Sequence, residues 1–303
     1  MTIKKIMYHK PVLLKEAIEG LNIKSDGIYV DVTFGGGGHS AEILKKLKKG
    51  KLIAFDQDED AQKNKIDDEK LTLIKQNFRY MKNFLRLYNL IPVDGIIADL
   101  GISSHQIDSA ERGFSFKYDG ELDLRMSQQS PLNAKKIINE YSEESLKNIF
   151  FEYGEIRESA KLTKAIVQSR KNKTINKTDE LKSVIEFLAT KGKENTFFAK
   201  VFQALRIEVN NELGALKELL LQSSEVLKKG GRLAIISYHS LEDRLVKNFI
   251  KTGNFEGELK KDFYGNPVLL FNAINKKVIL PDESEIMNNN RARSAKLRIA
   301  EKN

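Results

Sequence analysis

The chain has 303 residues, 41% hydrophobic and 31% charged, the balance of a globular protein with room for two domains or one large one. It contains no cysteine, which excludes disulfides, thiolate-held zinc or iron–sulfur centres, and cysteine attack on a pyrimidine ring. A formal net charge of +9 suits a polyanion such as RNA, although lysine runs like Lys45-Lys46 and Lys48-Lys49 serve solubility equally well.

No run approaches the ~18 apolar residues of a membrane span. Met1 leads through Lys4-Lys5 into ordinary strand and helix text without a signal pattern, so a cytoplasmic protein without membrane contact is expected. His9, His39, His105 and His239 have no i,i+4 ligand spacing, and no metal is expected.

From Gly27 the text alternates strand and helix. Ile28, Val30 and Val32 alternate along a first strand, Gly27 to Val32, which ends in Thr33-Phe34-Gly35-Gly36-Gly37-Gly38-His39-Ser40. Four consecutive glycines leave no Cβ atoms over the turn, so a ligand can lie against bare N–H groups where the next helix, Ser40 to Lys49, begins. A second strand, Lys51 to Phe55, ends in Asp56, about 20 residues after the glycines, where a carboxylate reaches ribose hydroxyls. A helix from Glu59 to Ile66, a third strand from Leu71 to Lys75 followed by Asn77-Phe78, and a helix from Tyr80 to Leu90 come next. The fourth strand, Gly95 to Leu100, carries Asp99 near its end. Asp31, Asp56 and Asp99 therefore share the carboxyl edge of a parallel sheet, where open α/β sheets bind ligands.

Between about Gln106 and Arg206 the spacing is helical, with helices expected over Ser142 to Tyr153, Ile156 to Arg170, Thr178 to Ala189 and Asn195 to Val209. The expected organisation is a sheet domain from 1–104 and 208–303, interrupted by a helical insertion over 105–207. After it, a helix from Leu213 to Leu227 is expected to stop at Gly230-Gly231. A fifth strand, Arg232 to Tyr238, and a helix, Leu241 to Lys251, follow. Val268 to Ala273 and Ser294 to Glu301 read as late strands joined by a polar loop over Glu283 to Arg293.

Gly36, Gly38 and Ala41 satisfy G-x-G-x-x-A, so a dinucleotide remains open on that pattern. Two features favour S-adenosylmethionine. Asp31 would repel a pyrophosphate but accept from an ammonium group, and a seven-stranded sheet whose last strand is added antiparallel looks like the common methyltransferase fold.

Several residues are candidates for chemistry. Asp99 could orient an amine or bind the methionine moiety; the alternative is a helix cap. Phe78 could stack on adenine or lie in the core. The Arg112 to Phe116 and Leu122 to Met126 segments read as a functional loop or a disordered linker. His239 could contact substrate or cap a helix with Ser240 and Asp243. Arg291, Arg293, Lys296 and Arg298 form a basic terminal segment suited to phosphates or to solvent. The Asp/Asn-Pro-Pro-Tyr/Phe motif of many base-amine methyltransferases is missing after the fourth strand, so the target atom cannot be read there. An NAD-dependent oxidoreductase, an RNA-binding assembly factor and a DNA methyltransferase stand as rivals.

Taken together, His9 to Glu16, Thr33 to Ser40, Asp99 to Gln106, Glu111 to Phe116, Leu122 to Met126, Phe202 to Ile207, Ser237 to Asp243 and Asn290 to Ile299 resemble the MraW, or ribosomal RNA small subunit methyltransferase H, family. The resemblance spans nearly the whole chain in the family's order. It implies an α/β class I S-adenosylmethionine-dependent methyltransferase fold, Rossmann-like and seven-stranded, with an inserted all-helical domain. It implies methylation of the exocyclic N4 of one cytidine in the decoding region of 16S ribosomal RNA within the small ribosomal subunit. It also implies cofactor contacts at Gly37, Gly38, His39, Asp56, Phe78, Asp99 and Gln106, the last of which spacing alone does not indicate. Gly36 and His105 depart from an Arg in the turn and a Pro before the Gln seen in some members. Whether the protein is a homodimer stays open.

Overall fold

The computed structural model describes residues 11–303, so His9 and Lys10 of the first motif, and Lys4-Lys5, lie outside the described residues. The chain forms two compact units, one up to Gly101 resuming at Leu213–Asn303, the other Ile102–Glu212.

The first unit is built on strands β1 Ile28–Asp31, β2 Lys51–Asp56, β3 Leu71–Lys75, β4 Val93–Asp99, β5 Leu227–Ser237, β6 Phe271–Ala273 and β7 Lys296–Lys302. Their order is β3-β2-β1-β4-β5-β7-β6. β1 to β5 run parallel, and β7 lies antiparallel to both β5 and β6. Sequence alternation explains why both faces are covered. Val30, Ile53, Phe55, Ile96, Leu233 and Ile235 bury on one side with the helices Met81–Leu87, Glu212–Val226 and Ser240–Thr252. Tyr29, Leu52, Ala54, Ile97, Ala234 and Ile236 bury on the other with Leu14–Gly20 and Gly38–Lys46. Successive side chains point to opposite faces, so each strand must be apolar nearly throughout. Strand order reverses between β1 and β4, which opens a crevice at their carboxyl ends.

Several elements begin or end away from where the sequence places them. Gly230-Gly231 does not stop a helix: Glu212–Val226 passes directly into β5, and the glycine pair lies inside the strand. There β5 shifts register against β4 between Val93 and Gly95, and Gly230 takes φ +75°. The pair relieves a bulge, not a helix end. The expected helix over Glu59 to Ile66 shrinks to Glu59–Gln62. The polar stretch Glu283 to Arg293 is not a plain loop. It holds a helix, Glu283–Asn288, capped by Asp282, which accepts the Glu285 N–H at 2.7 Å. Glu285 Oε1 in turn accepts the Leu13 N–H at 2.7 Å.

The second unit is helical: Ser104–Asp108, Ala134–Glu140, Glu143–Glu152, Ser159–Arg170, Thr178–Ile185 and Glu194–Asn210. Leu146, Phe150, Leu162, Ile166, Leu181 and Leu205 form its core. The segment from Arg112 to Met126 is an ordered loop rather than a linker. Phe114, Leu122 and Leu124 are buried, and the Arg112 guanidinium donates to the carbonyls of Arg125 (2.9 Å) and Met126 (3.1 Å).

Candidate active site

The glycine turn is held from inside by the carboxylates around it. After β1, Asp31 Oδ1 accepts the Thr33 N–H at 3.1 Å and Oδ2 accepts the Ser40 hydroxyl at 2.7 Å. At 1% exposure Asp31 is therefore a brace between strand and helix, not the open ammonium acceptor expected from its position. The Phe34 N–H donates to the Phe55 carbonyl at 2.9 Å, which extends β1's pairing with β2 into the turn. Gly37 then takes φ +76° and donates to the Phe34 carbonyl at 2.7 Å. A side chain in that left-handed conformation would be strained. The helix begins at Gly38, two residues earlier than expected.

Asp56 closes the turn from the β2 side. Its Oδ2 accepts the Gly35 N–H at 2.8 Å and its Oδ1 accepts the Asp58 N–H at 2.8 Å. Asp99 closes it from the β4 side, where its own N–H donates to Thr33 Oγ1 at 2.6 Å. Its Oδ1 accepts the Tyr238 hydroxyl at 2.8 Å, and its Oδ2 lies 3.9 Å from His39 Nδ1. His39 Nε2 sits 3.2 Å from the Val12 carbonyl, which can only accept, so that nitrogen carries a proton.

Burial raises the pKa of Asp31, against the Ser40 hydroxyl and the His39 ring. It pushes Asp56 up to about 6, opposed by the N–H groups of Asp58 and Gly35. Asp99 also reaches about 6 through burial, opposed by His39 and by the Tyr238 hydroxyl. Tyr238 itself is driven well above its ordinary value by burial and the neighbouring Asp99 charge, so it stays a donor. Three desolvated acids at one sheet edge create a site that a cation would stabilise.

Gly37, Gly38, His39, Asp56 and Asp99 are thus brought together, linked through Gly35, Thr33 and the His39–Asp99 pair. Phe78 opens the Phe78–Tyr80 turn after β3 and lies half-buried against the sheet's core, so part of its ring serves packing. Asn77 Nδ2 donates to Gln57 Oε1 at 2.9 Å and ties that strand tip to β2's. Gln106 belongs to the helical unit. Its Oε1 accepts the Ser103 N–H at 3.0 Å while Ser103 Oγ accepts its own N–H at 3.2 Å, a capping box.

Tyr238 is the residue that sequence reasoning passed over in favour of His239. His239 caps its helix: Nδ1 accepts the Glu242 N–H at 3.4 Å, while Glu242 Oε2 accepts the Tyr238 N–H at 2.9 Å. The available signal was register. Asp99 lies opposite Ile236 on parallel β5, so the residue two further along reaches past the same strand tip. The basic terminal segment does not act as one face either. Arg298 donates to both oxygens of Asp243 (2.7 and 3.2 Å), and Lys296 lies 3.5 Å from the same carboxylate.

A 3-2-1-4-5-7-6 sheet with antiparallel β7, a glycine turn after β1 and acids at the tips of β1, β2 and β4 defines a class I methyltransferase fold. A dinucleotide fold has no such inserted antiparallel strand. The MraW methylase family matches residues 6–303, and the chain belongs to it. Relatives named ribosomal RNA small subunit methyltransferase H are similar along their whole length. The one from Cytophaga hutchinsonii is 60% identical over 298 residues, 98% of this chain and 100% of that one. That of Flavobacterium johnsoniae is 58% identical over 296 residues, 97% and 98% of the two chains. No helix among the described residues is long and apolar enough to cross a membrane.

Proposed function

We propose that this protein transfers a methyl group from S-adenosylmethionine to the exocyclic N4 of a cytidine in the decoding region of 16S ribosomal RNA, in the cytoplasm. The observation that carries the reading is full-length similarity to ribosomal RNA small subunit methyltransferases combined with an intact acidic, side-chain-free turn. In the proposed organisation, 1–104 and 208–303 form the methyltransferase domain and 105–207 a helical insertion.

The residues present fit the donor. The turn offers bare backbone, Asp56 stands beside it at the β2 tip where it would hold the ribose hydroxyls, and the desolvated carboxylates favour a cation. Gly37, Gly38, His39, Asp56, Phe78, Asp99 and Gln106 are the proposed contacts. S-adenosylmethionine, when bound, supplies an electrophilic methyl on a sulfonium. Cytosine N4 is a weak nucleophile because its lone pair is delocalised into the ring. Positioning and exclusion of water supply most of the rate. Asp99, fixed by Thr33 and Tyr238, accepts from the N4–H and favours a pyramidal nitrogen, and the proton that N4 sheds on methylation passes to solvent. The target base must leave its stack to reach the strand tips.

Charge on the acids gives a pH dependence. Asp56 and Asp99 ionise around 6, and a bound cation favours the ionised form. Donor affinity, measured by equilibrium dialysis, is expected to rise from about pH 5 to about pH 7, and to rise less for S-adenosylhomocysteine, which lacks the sulfonium. Tyr238→Phe removes a bond that holds Asp99 down, so the midpoint moves upward. A flat profile in both proteins would contradict the electrostatic fit.

The function itself is tested with labelled donor and small subunits from cells lacking the protein, followed by nucleoside mass spectrometry. N4-methylated cytidine is the expected product. Label on another base, or none, would overturn the proposal.

A further inference from the structure

Between Phe255 and Leu270 the chain forms a stiff finger. At its root the Phe249 and Phe255 rings stack with centroids 5.3 Å apart, and Asn248 Nδ2 donates to the Phe255 carbonyl at 2.9 Å. Asn254 Oδ1 accepts the N–H groups of Gly257 (2.9 Å) and Glu258 (3.2 Å). The legs pair through the Val268 N–H and the Lys260 carbonyl at 2.9 Å. Asp262 closes the tip, its Oδ1 accepting the N–H groups of Tyr264 (2.9 Å) and Asn266 (2.8 Å).

All this bonding holds two aromatic rings in water. Phe263 is 98% exposed and Tyr264 85%, the rings meeting edge to face with centroids 5.6 Å apart. Leu259 and Val268, exposed on the legs, continue the apolar surface. Single exposed apolar residues are ordinary, but adjacent rings fixed outward by a hydrogen-bonded turn contribute nothing to the fold. Lys260 and Lys261 precede them on one leg, before Asp262, exposed and in no ion pair among the described residues.

We infer that the finger, residues 259–268, is a contact surface for single-stranded RNA, with Phe263 and Tyr264 stacking on unpaired bases and Lys260 and Lys261 set against phosphates. This deepens the proposed function and rests on its RNA substrate. Aromatic faces beside free cations are the elements that sequence-tolerant single-strand recognition requires. Area favours RNA over a second protein chain. Two rings of about 150–250 Å² each fall well short of the roughly 800 Å² per partner that a stable protein interface buries.

The chain has no tryptophan, so Phe263→Trp places one reporter at the tip. Short oligouridylate is expected to quench its emission, duplex RNA of equal length much less, and Lys260→Glu with Lys261→Glu should weaken the quenching and its salt dependence. In methylation assays, Phe263→Ala with Tyr264→Ala should raise KM for the small subunit about tenfold while kcat and donor affinity hold. Emission indifferent to RNA, emission that instead moves with protein concentration, or an unchanged KM would overturn the inference. The emission readout needs no methyl transfer, so the two readings fail separately. Quenching in a chain that methylates no RNA would sink only the proposed reaction. Active methylation with an unchanged KM would sink only the finger.

Discussion

Asp99→Asn is expected to lower kcat for methyl transfer by about two to three orders of magnitude while leaving the protein as stable as before, or more so, at neutral pH. The amide keeps an oxygen for the Tyr238 hydroxyl and an N–H₂ for the His39 ring nitrogen 3.9 Å away. What it loses is charge. The carboxyl group's pKa is raised to about 6 in the folded protein, so its proton is held more tightly there than in the unfolded chain. Folded stability therefore falls as pH rises from about 4 to about 6, and the whole penalty is present above that. With the side chain 23% exposed, a shift of this size is worth at most about 3 kcal/mol. The melting temperature of the variant should match the wild type below about pH 4 and equal or exceed it above about pH 6, by calorimetry. Full activity in the variant would remove Asp99 from the reaction.

The second large effect lies in the turn. A Cβ on Gly38 would sit 2.0 Å from Pro11 Cγ and 3.1 Å from its Cδ. A pyrrolidine ring has no flexible end to swing aside. Its neighbours are also pinned, Val12 through its carbonyl to His39 and Leu13 through its N–H to Glu285. Gly38→Ala must therefore move the start of the Gly38–Lys46 helix or the approach to Leu14–Gly20. Expected consequences are a stability loss of about 1–3 kcal/mol and at least about tenfold weaker donor binding. Pro11→Gly in the same chain removes the clashing carbons, so the double variant should recover part of both losses. Wild-type binding and melting in Gly38→Ala would show that the turn is looser than its contacts imply.

Much of the sheet was legible because burial on both faces forces near-continuous apolar runs, and each run ends where a polar residue first becomes tolerable. Asp56 and Asp99 stand at such ends and could be placed before any fold was known. Asp31 was placed equally well but misjudged, since its partner Ser40 is nine residues away and only the folded turn brings that hydroxyl to 2.7 Å. Tyr238 was invisible for a related reason: its meaning depends on β5 lying beside β4 in one register. The short helices Ala134–Glu140 and Glu283–Asn288 complete two turns or fewer, too little for a hydrophobic period to show. Gly230-Gly231 imitated a helix stop because a glycine pair after an apolar helix fits a C-cap and a strand bulge alike, and only the pairing of the flanking Leu227 and Arg232 with Val93 and Gly95 separates them.

Calorimetric titration of the full chain with S-adenosylmethionine and, separately, with NAD at neutral pH tests the cofactor role of the glycine turn most directly. One equivalent of S-adenosylmethionine bound per chain, weakened by Gly38→Ala, with no heat from NAD, is the predicted result. Saturable NAD binding, or S-adenosylmethionine binding that ignores the change at Gly38, would contradict the account.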